Sequence, residues 1–138
     1  MAEYKKLAKE WFDAAVSDYK YAGVGLKEET VFPQIAFLSQ QVAEKFLKGF
    51  LIINGVEPPH IHDLPKLLDE CIKIRKDFKN LRDACEFLAG FYIEARYPPD
   101  IPLYEKEEII NAFKKGRLVK ETVESFLKTV NVNSLHTE

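Results

Sequence analysis

Long apolar runs, cysteines and an excess of either charge are all scarce in this sequence, and each scarcity removes a class of protein. No stretch approaches the ~20 apolar residues that a membrane-crossing helix requires. The opening residues, Met1-Ala2-Glu3-Tyr4-Lys5-Lys6, form neither the basic start nor the apolar core of a secretory leader, so a cytoplasmic protein without membrane contact is expected. Cys71 and Cys85 are the only cysteines, and each falls on the apolar stripe of a predicted helix. They read as reduced core residues, in preference to a disulfide or a metal pair. Lys and Arg number 20 against 22 Asp and Glu, a formal charge of -2, so the chain lacks the global basic field that non-specific duplex binding needs. Any nucleic-acid contact must come from a local patch. Alternating strand patterns, internal repeats, glycine-rich phosphate loops, G-x-S-x-G elbows and H-E-x-x-H pairs are missing as well. No cofactor and no metal are expected.

What is present is helical periodicity. With 138 residues, 46% of them hydrophobic, the chain can build one substantial core, and a single domain is the expectation. Its core should span residues 4–130, followed by a frayed tail over 131–138. Apolar residues recur at helical spacing through Tyr4, Leu7, Trp11, Ala14, Ala15, Tyr19, Ala22 and Leu26, with Gly23 and Gly25 weakening the end of this first helix. A second helix is predicted from about Pro33 through Ile35, Leu38, Val42, Phe46, Phe50 and Ile53. Its additional stripe of Ala36, Ala43, Leu47 and Leu51 marks it as central and largely enclosed. Asn54-Gly55 stops it, and Pro58-Pro59 prevents its resumption. Asp63 is a predicted N-cap for a third helix that carries Leu64, Leu67, Leu68, Cys71 and Ile74 inward, with Pro65 tolerated in the first turn. The phase breaks around Asp77. A fourth helix then buries Leu81, Ala84, Cys85, Leu88, Phe91, Tyr92 and Ala95 and ends by Pro98-Pro99. Glu105, Glu107 and Glu108 favour the start of a last helix, marked by Ile109, Phe113, Val119, Val123, Phe126 and Val130. The fold class that results is all-α, an up-and-down bundle of four or five helices.

Four features could carry chemistry. Glu94-Ala95-Arg96-Tyr97-Pro98-Pro99-Asp100 ends the predicted fourth helix at an arginine and an aromatic. There Arg96 could fork onto phosphate oxygens beside a stacking Tyr97, or simply satisfy helix carbonyls or pair with Glu94 or Asp100. Gln40, Glu44 and Lys48 lie at i, i+4 and i+8 on the second helix, with Gln41 and Lys45 in a neighbouring row. This strip is either a solvated face or the polar wall of a cleft. In His60-Ile61-His62-Asp63 the ligands that would complete a metal site are missing. His62 remains as a residue that orients a polar group across the bundle or works as an acid-base group, or as a loop histidine bonded to backbone beside the Asp63 cap. Basic runs at Lys73, Arg75, Lys76, Lys79 and Arg82, and at Lys114, Lys115, Arg117 and Lys120, read as solvated faces or as phosphate-tracking surfaces. Gly116, in the middle of the last helix, suggests close approach of another helix, within the chain or across a subunit interface.

Taken together, the Trp11-centred first helix, Gln40-Gln41-Val42-Ala43-Glu44-Lys45-Phe46-Leu47-Lys48, the Gly55 to Pro59 break, His62-Asp63-Leu64 and Tyr92-Ile93-Glu94-Ala95-Arg96-Tyr97-Pro98 resemble the HEPN domain family over about residues 4 to 130. The resemblance implies an all-α bundle related to the C-terminal helical domain of kanamycin-type nucleotidyltransferases. It also implies homodimerisation, association with a nucleotide or RNA, and a separate minimal nucleotidyltransferase as partner in a prokaryotic toxin-antitoxin-like or defence system. Nucleotide contacts are then expected from Arg96, Tyr97, Lys45, Lys48, Glu44 and Gln41. Many proteins of that family are metal-independent ribonucleases with an Arg-x(4-6)-His motif, from which this chain departs: after Arg96 the next histidine is His136. A binding role is therefore the leading expectation. Ribonuclease activity with Arg96 and His62 as catalytic candidates comes second, and a purely structural dimer module third.

Overall fold

Pro33 sets the first turn of the helix around which everything else packs. The computed structural model describes residues 2–28, 33–92 and 104–128. Among them are five α-helices, α1 (Ala2–Lys27), α2 (Pro33–Ile53), α3 (Leu64–Ile74), α4 (Arg82–Ala89) and α5 (Lys106–Leu127), one 3-10 helix (Lys76–Leu81), and no strand. The architecture is all-α, as the periodicity predicts. Among the described residues no helix is long and apolar enough to cross a membrane.

Local chemistry accounts for most helix ends. At the end of α2, Gly55 takes a φ of 77°. Its N–H donates to the Ile52 carbonyl at 2.9 Å, and the Val56 N–H reaches back to Leu51 at 2.9 Å, which satisfies carbonyls that the helix would otherwise leave open. Asp63 caps α3 by accepting from the Lys66 N–H at 3.1 Å, with Pro65 in the first turn. Glu105 and Glu108 form a reciprocal capping box at the start of α5.

Packing places α2 at the centre, most extensively against α1 and α5. Two glycines set those distances. A Cβ on Gly116 would lie 2.9 Å from the Ser39 carbonyl oxygen, so the α2–α5 crossing requires its absence. The close approach foreseen for Gly116 is thus internal to the chain. Gly49 performs the same role toward α1, where a Cβ would sit 2.5 Å from the Phe12 ring. At the far end, Phe50, Phe78 and Phe126 join α2, the 3-10 helix and α5, with ring centroids 4.6 Å (Phe50–Phe78) and 5.0 Å (Phe78–Phe126) apart. Cys71 and Cys85 are free, buried thiols of this core. Burial pushes Cys85 up to about 12 and Cys71 higher still, so both stay neutral near pH 7.

α1 extends to Lys27, in line with its predicted run through Leu26. Gly23 lies in its last turns and faces the Phe113 ring of α5. Two expectations need correction. Ile74 is 38% exposed where the stripe predicted it inward, because α3 ends at this residue and the chain turns away into the 3-10 helix. The fourth helix, predicted to run on past Ala95, stops at Ala89. Gly90 and Phe91 close a tight turn there, with Phe91 N–H bonded to the Leu88 carbonyl at 2.9 Å. The turn buries Phe91 against Phe87 and Tyr104, at 5.2 and 4.8 Å between centroids. Ala95, Pro98, Pro99, Val130 and the tail at 131–138 lie outside the described residues.

Candidate functional site

The polar strip of α2 is buried. Gln40 is fully enclosed, Glu44 is 3% exposed and Lys48 is 6% exposed, so the solvated-face reading is excluded. A charge in such a place needs a partner and hydrogen bonds to offset its lost hydration. Glu44 has both. Its Oε2 accepts from Lys48 Nζ at 3.1 Å, and its Oε1 accepts from Gln40 Nε2 at 3.2 Å. Gln40 in turn accepts from Gln41 Nε2 at 2.7 Å, which leaves the amide chain internally consistent from Gln41 to the carboxylate. Lys48 also lies 5.4 Å from the centroid of the Trp11 ring, so α1 closes one side of its ammonium.

The network reaches the surface through His62. This residue sits in the segment between α2 and α3, one position before the Asp63 cap, and its Nδ1 lies 3.2 and 3.1 Å from the two oxygens of Glu44. Its side chain is 51% exposed, against 4% for that of Glu44. Tyr92, delivered by the turn after α4, stacks on the imidazole with centroids 4.5 Å apart and planes 14° from parallel. Phe37 of α2 stands behind Tyr92 at 6.3 Å. His62 thus links polar groups across the bundle, from the α2–α3 segment to Glu44 of α2.

The remaining site candidates fare differently. Lys45, on the neighbouring row, is turned toward α1 and paired with Asp18 at 2.6 Å, half-buried on both sides. Lys45 and Lys48 therefore each already face an intramolecular carboxylate. Gln41 is half-buried at the outer end of the amide chain. Arg96 and Tyr97 lie outside the described residues, as do Glu94 and Asp100. In the first basic run, Lys73 pairs with Glu70, Arg75 with Asp77, and Arg82 with Asp69. Arg75 additionally lays its guanidinium 3.9 Å from the Phe126 ring centroid. In the second run, Arg117 and Lys120 pair with Glu121 and Glu124 one turn on. These acids, one helical turn away for Lys73, Arg117 and Lys120 and on a neighbouring helix for Arg82, offset much of both runs.

Tyr92 is the site residue that sequence reasoning placed wrongly, as a core position of a longer helix. The signal available was Gly90, a poor helix former two residues earlier. Trp11, read as part of an apolar stripe and as the centre of the first helix, proves to be the aromatic neighbour of Lys48.

The chain also matches known proteins in sequence and in fold. The family model for the HEPN domain matches residues 8–126. This chain belongs to the HEPN domain family. Among solved structures, the HEPN chain superposes on TT1696 from Thermus thermophilus with a TM-score of 0.71 at 26% identity, covering 87% of this chain and 98% of that one. An archaeal HEPN homologue, ST0689, gives a TM-score of 0.70 at 21% identity over 87% of this chain and 97% of the other, a likeness of fold. No curated protein matches.

Proposed function

We propose that this HEPN chain is a nucleotide-binding or RNA-binding module whose ligand meets the His62–Tyr92 edge of the α2 network, with Arg96 and Tyr97 as further contacts. The supporting observation is the asymmetry of the network: a fully paired polar cluster inside an apolar core opens to solvent at a stacked imidazole. Burying Glu44 and Lys48 costs more than an apolar pair of similar volume would. A role in holding His62 gives that cost a purpose. Lys48, Glu44 and Gln41 act on the ligand through this network, and Lys45 contributes at the rim beside Asp18. A homodimer, and a minimal nucleotidyltransferase as partner in a toxin-antitoxin-like or defence system, belong to the same proposal. They follow from what the family resemblance implies.

Calorimetric titration with AMP, ATP and GTP tests the binding role. Binding by the wild-type protein should weaken at least tenfold in His62→Ala and in Arg96→Ala. Absence of binding, or equal binding by both variants, sinks the assignment.

One observation favours a second reading. A carboxylate held against Nδ1 is how enzymes orient an imidazole that moves protons with its other nitrogen. A metal-independent ribonuclease using His62 and Arg96 would cleave RNA in the presence of EDTA, and both alanine variants would lose that cleavage.

A further inference from the structure

Glu44 was expected to touch the ligand itself, yet its carboxylate is consumed inside the protein. Gln40 and His62 converge on Oε1, and Lys48 and His62 on Oε2. With 4% of its side chain exposed, Glu44 has no room for a ligand contact. What it does instead follows from acid-base chemistry. An ionised carboxylate can only accept hydrogen bonds, and the Lys48 ammonium 3.1 Å away requires that charge beside it. Nδ1 of His62, facing both oxygens, must therefore carry the ring proton. In the neutral imidazole the other nitrogen, Nε2, is then an acceptor. Among the described residues Nε2 has no hydrogen-bond partner, and Tyr92 stacked on the ring restrains its rotation.

We infer that Glu44 is a positioning residue that holds His62 as the Nδ1–H tautomer, so that Nε2 accepts a hydrogen bond from a ribose 2′-hydroxyl and the site prefers ribonucleotides to deoxyribonucleotides. The ribose half rests on the nucleotide-binding reading above. The tautomer half does not. An acceptor aimed at a hydroxyl binds the analogue that lacks it less tightly, because one hydrogen bond is lost; with the His62 side chain 51% exposed, water can take its place and the preference stays modest. Lys48 serves as the counter-charge beside Glu44, and Gln40 by fixing the orientation of the carboxylate. Asp63, next in the chain, is committed to the Lys66 N–H.

Two measurements test this. Long-range nitrogen-15 NMR on the full chain, at a pH where the His62 ring is neutral by its own titration, should show Nδ1 protonated and Nε2 bare. In Glu44→Gln the amide can donate to Nδ1, so the population should move toward Nε2–H. Because Glu44→Gln leaves the Lys48 ammonium without its counter-charge, the double variant Glu44→Gln/Lys48→Met is measured beside it as the better-folding form. A wild-type ring in the Nε2–H form, or a tautomer unchanged in both variants, overturns the positioning role. Calorimetry with AMP and 2′-deoxy-AMP should show AMP binding about tenfold more tightly to the wild type. That preference should collapse to within about twofold in the double variant. Equal binding of the two nucleotides with the tautomer intact overturns the ribose assignment. If neither binds while the tautomer responds as stated, the nucleotide reading fails, the ribose assignment falls with it, and the positioning role of Glu44 stands.

Discussion

Glu44–Lys48 in α2 and Lys9–Asp13 in α1 have the same arrangement, an acid and a base one helical turn apart. In the first pair the side chains are 4% and 8% exposed, and in the second Lys9 is 35% and Asp13 61% exposed. The surface pair has water as an alternative partner and adds little. The buried pair has none, so each charge depends on the other and on the amides and imidazole around them. Spacing on a helix thus says which side chains can meet. What covers them decides whether the meeting matters.

The contrast can be broken most forcefully at the buried pair. Glu44→Ala should cost about 3–5 kcal/mol, read as a lower urea midpoint at constant slope, because it strands the Lys48 ammonium. Glu44→Leu combined with Lys48→Met should recover most of that loss or exceed the wild-type stability, since two packed apolar side chains need no counter-charge. If the double variant is as unstable as the single one, the network stabilises the fold in its own right and the functional argument weakens. A smaller effect is expected at the α2–α5 crossing. Gly116→Ala gains helix propensity worth ~1 kcal/mol but drives a methyl into the Ser39 backbone carbonyl, with overpacking of ~1–3 kcal/mol. The net loss should be about 1 kcal/mol, and a gain in thermal midpoint would show that the helices separate freely. Gly55→Ala should also lose about 1 kcal/mol, in this case from its positive φ alone, since a Cβ there meets nothing within 4 Å. The smallest effect belongs to the surface pair. Lys9→Ala should stay within about 0.5 kcal/mol of wild type, and what difference there is should vanish in 1 M salt.

Helix starts and stops were legible wherever the deciding atoms are neighbours in the chain. Pro33, Asn54-Gly55, Asp63 and Glu105 with Glu108 all act within one turn, and the ends of α2, α3 and α5 lie where those residues direct. The end of α4 was misread because the gain that stops it is distant: Phe91 leaves the helix to reach Tyr104. Gly116 was recognisable as a contact point, whereas its partner Ser39, and the matching role of Gly49 against Phe12, depend on how the helices cross. The site was half legible. Gln40, Glu44, Lys48 and His62 were all singled out, but the network that makes them one unit joins α2 to residues 18 and 48 positions away from Glu44 along the chain, His62 and Tyr92.

By itself the sequence determined the helical class, the order of its elements and most of their boundaries, because periodicity and capping are short-range properties of the backbone. Its motifs also carried the resemblance that places the chain among HEPN domains. Only the tertiary structure decided that the polar strip of α2 lies inside and that Glu44 faces an imidazole. Burial is a property of what packs on top. A row of Gln, Glu and Lys reads the same along a helix whether water or Trp11, His62 and Tyr92 lies over it.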